Sequence, residues 1–128
     1  MLLDTDVLIA FLHSNSRNDK RAAVWLKTLP KPPQLTGIAV LETVFGARDQ
    51  TDLRQIEKAL LSFSVAWPID ADFQTAQTLA GLKLSHGVGL LDCVTAALCL
   101  RIGAPLATFN VKHFGVVPGL QTVQPFVP

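Results

Sequence analysis

The sequence predicts an α/β fold, a single domain over residues 1–128 with helices on both sides of a mostly parallel sheet of about five strands. Three observations carry this. Short apolar runs alternate with longer segments whose apolar residues recur at helical spacing, the pattern of strand–helix–strand units sharing one sheet. The chain shows no internal repeat, linker or low-complexity segment that would divide it. Hydrophobic residues make up 49% of the 128 and charged residues 16%, enough to fill a core and too apolar for a disordered chain.

The elements follow in order. Met1-Leu2-Leu3 reads as a buried strand, and Val7 to Leu12 as a short helix or turn. Asp19 to Leu29 is an amphipathic helix, stopped by Pro30-Lys31-Pro32-Pro33, since proline cannot continue a helix. Gln34 to Ala39 is the second strand, followed by a helix over Val40–Arg48 with Leu41, Val44 and Phe45 at helical spacing. Asp52 to Ser62 is a further helix, and Val65 to Ile69 the third strand. Asp70 or Asp72 suits the cap of a helix running to about Leu84, with Ser85 to Gly89 as a loop. Leu90 to Ile102 is a strongly apolar helix closed by Gly103, Leu106 to Phe109 is the fourth strand, and Leu120 to Phe126 holds the fifth.

Composition limits the function classes. A formal net charge of +1 is no nucleic-acid signature by itself, so an RNA substrate would need local basic residues and a metal. Cys93 and Cys99 share one apolar helix at a spacing that separates their side chains, so no disulfide between them is expected. The opening Met1-Leu2-Leu3-Asp4 lacks a basic leader region and no apolar run is long enough to span a bilayer; a cytoplasmic location and no membrane contact are expected. The apolar composition predicts an exposed patch that a partner covers.

Sheets of this kind bind ligands beyond the carboxyl ends of their strands. Asp4 and Asp6 follow the first strand, Glu42 lies near the start of the helix after the second, Asp92 opens the apolar helix, and Asn110 and His113 follow the fourth strand. Clustered carboxylates raise one another's pKa and oppose folding unless a cation neutralises them. Mg²⁺, or Mn²⁺ in its place, takes such oxygen ligands together with water and phosphate, and suits phosphodiester hydrolysis. Each acid also has a plain structural explanation. Asp4 and Asp92 stand where a helix cap is wanted, and Glu42 could answer a helix dipole. Asp92, among Leu90, Leu91, Cys93 and Val94, is expected close to the core, where a carboxylate needs a partner. His13 and His86 read as solvated surface groups, and no Cys/His pattern suits zinc.

These segments resemble the motifs of PIN-domain proteins, in family order and over nearly the whole chain. Leu2 to Ile9 resembles the family's opening strand and Asp-Thr-Asn/Ser turn. Glu42-Thr43-Val44-Phe45-Gly46 resembles its Glu-x-x-x-Gly helix, Gly89 to Ala97 its third-acid helix, and Leu106 to Phe114 its Thr-x-Asn-x-x-Asp-Phe segment. The resemblance implies a Mg²⁺-dependent ribonuclease, Mn²⁺ substituting, that leaves a 5′-phosphate on one product. For the VapC-type members it implies a toxin held by a cognate antitoxin and commonly a homodimer. Carried over by position, Asp4, Glu42 and Asp92 are the metal-binding acids. Thr108 and Asn110 are polar groups that position substrate, water or a carboxylate, and Lys112 is the preferred phosphate contact. Asp6 replaces the usual Asn or Ser and stands as an extra ligand, directly or through water; His113 occupies a position where an acid is common, so that either Asn110 serves in place of the fourth acid or Asp6 compensates for it. The reduced acid set favours one metal ion over two.

Two other functions fit parts of the pattern. A strand ending in Asp4-Thr5-Asp6 would suit a phosphatase of the haloacid dehalogenase type, with a nucleophilic and a general-acid aspartate. A missing fourth acid would suit a PIN-like binding module without catalysis.

Overall fold

The computed structural model describes residues Met1 to Pro128. Five strands form one sheet in the order β3-β2-β1-β4-β5, every neighbouring pair parallel. They are β1 (Leu2–Leu3), β2 (Gln34–Thr36), β3 (Val65–Ala66), β4 (Leu106–Ala107) and β5 (Thr122–Val123). The helices are α1 (Thr5–Leu12), α2 (Arg21–Thr28), α3 (Gly37–Phe45), α4 (Gln50–Leu60), α5 (Asp70–Thr78), α6 (Gly81–His86), α7 (Leu90–Ile102) and α8 (Val111–Phe114). The α/β expectation and the strand count hold, and the sheet is wholly parallel.

Alternation along the strands builds the two faces. Leu2 and Leu106 pack with Ala96, Leu98, Cys99 and Phe114 of α7 and α8. Leu3, Leu35 and Ala107 pack with Val7, Leu8 and Ala39 of α1 and α3 on the other face. Both faces are therefore covered, which is why the central strands β1 and β4 are wholly apolar, while polar Gln34, Thr36 and Thr122 fall on β2 and β5. β1 is central, between β2 and β4. Its carboxyl end is thus flanked by the ends of two neighbours, and the Asp4 N–H donates to Ala107 O at 2.9 Å.

Several boundaries differ from the sequence reading, each for a local reason. α3 begins at Gly37 rather than Val40, because Thr36 caps it, its hydroxyl accepting from the Ala39 N–H at 3.0 Å. Glu42 consequently lies in the second turn, away from the helix N-terminus. The expected helix from Asp70 to Leu84 is two helices, α5 and α6, broken at Leu79–Ala80, and the second runs on to His86. β3 ends at Ala66. Gly103 closes α7 in the left-handed region, with φ 73°, as the sequence predicts. Gly37 has a packing role: a Cβ there would come 2.4 Å from the Trp67 ring.

α5 is fastened to α7 by a pair the sequence reading missed. Asp72, buried on α5, accepts from Arg101 Nε at 2.7 Å and Nη2 at 3.0 Å, and from the Ile69 N–H at 2.9 Å. Burial pushes its carboxyl up, but these hydrogen bonds and the guanidinium charge outweigh burial and hold it below the usual carboxylate range. Cys93 and Cys99 are free and buried. No helix is long and apolar enough to cross a membrane.

Candidate active site

The acids expected at one sheet edge are positioned by three turns. β1 passes directly into α1, and Asp4 caps that helix, Oδ1 accepting from the Thr5 N–H at 2.9 Å. The capping explanation of Asp4 is thus correct, but it uses one oxygen only. The other, Oδ2, accepts from the Thr108 hydroxyl at 2.9 Å, across from the end of β4. Asp6, in the first turn of α1, reaches the same strand end. Its Oδ2 accepts from the Phe109 N–H at 3.0 Å and lies 3.3 Å from Thr108 Oγ1. Thr108 has one hydroxyl proton for two carboxylates, and the shorter contact assigns it to Asp4. Its oxygen in turn accepts from the Asn110 N–H at 3.0 Å.

Charge in this cluster is poorly met. Burial foremost, then the charge of Asp6, raise the Asp4 pKa from 3.8 to about 6, against the hydrogen bonds from Thr108 and Thr5; Asp92 raises it further. Burial also raises Asp6, offset in part by its backbone hydrogen bonds. No lysine or arginine pairs with Asp4 or Asp6; the salt bridges lie elsewhere or engage Asp92. Asp6 Oδ1 is buried and has no hydrogen-bond partner. A buried carboxylate oxygen without a donor is costly, and it is an acceptor available to a cation or water.

The remaining predicted residues stand at the rim. Glu42 is exposed, and its Oε1 accepts from Thr5 Oγ1 at 2.9 Å. This ties α3 to the residue after Asp4. Asp92 lies in the first turn of α7, not at its cap, which is Gly89. It is also less buried than its neighbours suggested: its side chain is 40% exposed and lies 2.9 Å from His113 Nε2. Asn110 is exposed, precedes α8 and makes no side-chain cap; its backbone N–H is what touches the cluster. Lys112 and Asn110 line a 270 Å³ recess with His86, His113 and Val116. Thr5 and His113 are the site residues that sequence reasoning undervalued. Their contacts bridge chain separations of 37 and 21 residues, which no local pattern encodes.

The donor set can be tested against a divalent ion. No three His, Cys, Asp or Glu side chains converge closely enough to enclose one, so a cage made by protein alone is ruled out in this conformation. Unneutralised carboxylates with a free buried oxygen instead fit an ion of the Mg²⁺ type. Such ions need one or two carboxylates and complete their shell with water and phosphate.

A groove of 340 Å³ adjoins Glu42. It is mostly polar, with Ile9, Leu12 and Ile56 among Arg17, Arg48, Asp52 and other polar residues, and so is not the exposed apolar patch that the composition predicts. His13 lines it as well and is half-buried, with Nδ1 unpartnered, rather than solvated as the sequence suggested. The apolar surface lies elsewhere. Phe73, Val88 and Leu90 border a 330 Å³ recess between α5 and α7, with Phe73 53% and Leu90 72% exposed.

Comparison with known proteins agrees with this architecture. The PIN domain family model matches residues 1–119. Among solved structures, a toxin–antitoxin complex from Klebsiella pneumoniae aligns with a TM-score of 0.75 and 25% identity, covering 98% of this chain and 97% of that one. VapBC-1 from nontypeable Haemophilus influenzae aligns at 0.77 and 24% identity, covering 97% and 96%. DNA-bound VapBC from Salmonella typhimurium aligns at 0.74 and 18%, covering 98% and 97%. No curated protein sequence matches the chain. With the family model spanning β1 to the end of α8 and the ordered acids gathered where the fold brings strand ends together, the chain belongs to the PIN-domain family.

Proposed function

We propose that this protein is a VapC-type toxin, a metal-dependent ribonuclease that hydrolyses RNA phosphodiester bonds. The observation that carries the reading is the Asp4–Asp6 pair: two partly buried carboxylates at the central strand end, unpaired with any base, one with an orphaned oxygen. An acid pair so placed opposes folding, and an ion bound on an RNA phosphate removes the conflict. The family membership and the likeness to a toxin–antitoxin complex support the class.

Asp4, Asp6, Glu42 and Asp92 are the residues that would hold Mg²⁺ or Mn²⁺. When bound, the ion supplies Lewis acidity at the phosphate and a water of lowered pKa. The chain's own groups do the positioning. Thr108 keeps Asp4 in place through Oδ2, the Phe109 N–H keeps Asp6, and Thr5 draws Glu42 to the rim. Lys112 and Asn110 are exposed and share a recess with His113, the neighbour of Asp92; Lys112 would offset phosphate charge and the Asn110 amide would hydrogen-bond an RNA strand. The reduced acid set supports one ion rather than two. The phosphatase reading lacks a basic residue beside Asp4 and Asp6, which that chemistry needs for the transferred phosphate.

A cognate antitoxin and a second copy are the proposed partners. The groove beside Glu42, with arginines and apolar side chains, suits an antitoxin segment that reaches the acids with a basic side chain. The recess bordered by Phe73 and Leu90 suits a homodimer contact.

The test is incubation of purified, antitoxin-free protein with a cellular RNA pool in Mg²⁺, in Mn²⁺ and in chelator, beside Asp4→Asn and Asp92→Asn. Discrete cuts that need metal and vanish in both variants are expected. A folded, metal-loaded wild type that cuts nothing in a pool covering tRNA, rRNA and mRNA would turn the assignment to a binding module.

A further inference from the structure

Asp92 differs from Asp4 and Asp6 in having a basic partner. His113 Nε2 lies 2.9 Å from Asp92 Oδ2, and the histidine side chain is only 19% exposed. The ring meets buried Phe114 edge-on, centroids 5.6 Å apart and planes at 88°, and the backbone N–H of His113 donates to Asn110 O at 3.1 Å at the start of α8. The ring is thus held by a short helix anchored in the core, while the carboxylate it touches is half-exposed on a different helix.

An ionised carboxylate only accepts hydrogen bonds, so Nε2 carries the proton of this contact. That holds for the neutral ring with its proton on Nε2 and for the imidazolium, so the direction of the bond is independent of ring charge. The bond commits Oδ2 and leaves Oδ1 with no protein donor. No third His, Cys, Asp or Glu converges on the pair to make it an ion cage of its own. Hydrogen bonds to a ligating group from the outer shell fix its orientation and raise metal affinity.

We infer that His113 is a positioning residue for Asp92: its Nε2–H holds one carboxylate oxygen so that the other is presented to the divalent ion at the strand ends. This rests on the metal-dependent reading of the site. It also gives the residue at the position of the absent fourth acid a definite task. In place of one more negative ligand, the chain has a donor that orients an existing one and adds no repulsion.

The experiment measures Mn²⁺ binding to the whole chain by titration under electron paramagnetic resonance, for wild type, His113→Ala and His113→Gln. Spin-echo modulation of the bound ion then reads whether nitrogen is directly coordinated. His113→Ala should weaken binding about 10–100-fold. His113→Gln, which keeps an N–H donor of similar reach, should restore most of it, and the wild type should show no directly bound nitrogen. Equal affinity in wild type and His113→Ala would overturn the inference and leave the metal site standing. Coordinated nitrogen in the wild type, lost on substitution, would also overturn it by making His113 a ligand. A wild type that binds no Mn²⁺ would remove both the inference and the reading beneath it. If His113→Ala fails to fold, His113→Phe, which keeps the aromatic packing on Phe114 and removes the donor, should show the same loss of Mn²⁺ affinity, and wild-type affinity there would overturn the inference.

Discussion

Replacing Asp4 with Asn should make the metal-free protein more stable. The carboxyl is carried from 3.8 to about 6, by burial first and by Asp6 second. A folded-state pKa above the unfolded one means the folded chain binds the proton more tightly. Relative to the ionised state, stability is therefore fully present below about pH 4 and declines as pH rises through about 6. The cost at pH 7 is about 3 kcal/mol. Asparagine removes the charge and keeps the architecture. Its Oδ1 can cap Thr5, asparagine being a preferred N-cap, and its amide can donate to Thr108 Oγ1, freeing that hydroxyl for Asp6. Desolvation of the new amide reduces the gain, so an increase of about 1–3 kcal/mol at pH 7 is expected. The assay is urea unfolding of both proteins in chelator at pH 4, 5.5 and 7. The two curves should converge near pH 4 and separate as pH rises, with Asp4→Asn above wild type. An Asp4→Asn protein no more stable than wild type at pH 7 would refute the claim that this carboxylate is held against its preference.

Two further substitutions test the scaffold. Asp72→Ala should lower the unfolding midpoint at pH 7 by removing the Arg101 pair and the Ile69 cap. Because the Asp72 carboxyl is held below its usual range, that deficit should close as pH falls below about 4, which urea melts at two pH values would show. Gly37→Ala forces a Cβ against the Trp67 ring, so it should cost about 1–3 kcal/mol and shift tryptophan emission as the indole moves.

The parallel sheet was readable because short, mostly apolar runs alternate with helical segments along the chain. Gly103 marked the end of α7 by the same local logic. The early start of α3 was also written in the sequence, in Thr36 ahead of Gly37, but an apolar stretch through Ile38 and Ala39 disguised it as strand. Asp92 misled for a similar reason. Leu90 and Leu91 look like core residues and are 72% and 45% exposed, so an apolar sequence neighbourhood did not mean a buried carboxylate. What no local pattern could show is which distant side chains meet. Thr5 with Glu42, His113 with Asp92 and Arg101 with Asp72 are set by helix packing across the sheet. The acids themselves were legible because the crossover rule places strand ends together whatever the side chains do.

The central claim is that the acids at the end of β1 take a divalent ion. The most direct test is a crystal soaked in Mn²⁺ with an anomalous difference map. One dominant peak is expected in contact with a carboxylate oxygen of Asp4 or Asp6, diminished or absent in Asp4→Asn. A map with no peak at those oxygens at saturating Mn²⁺, or with its only peak on surface residues remote from the strand ends, would contradict it.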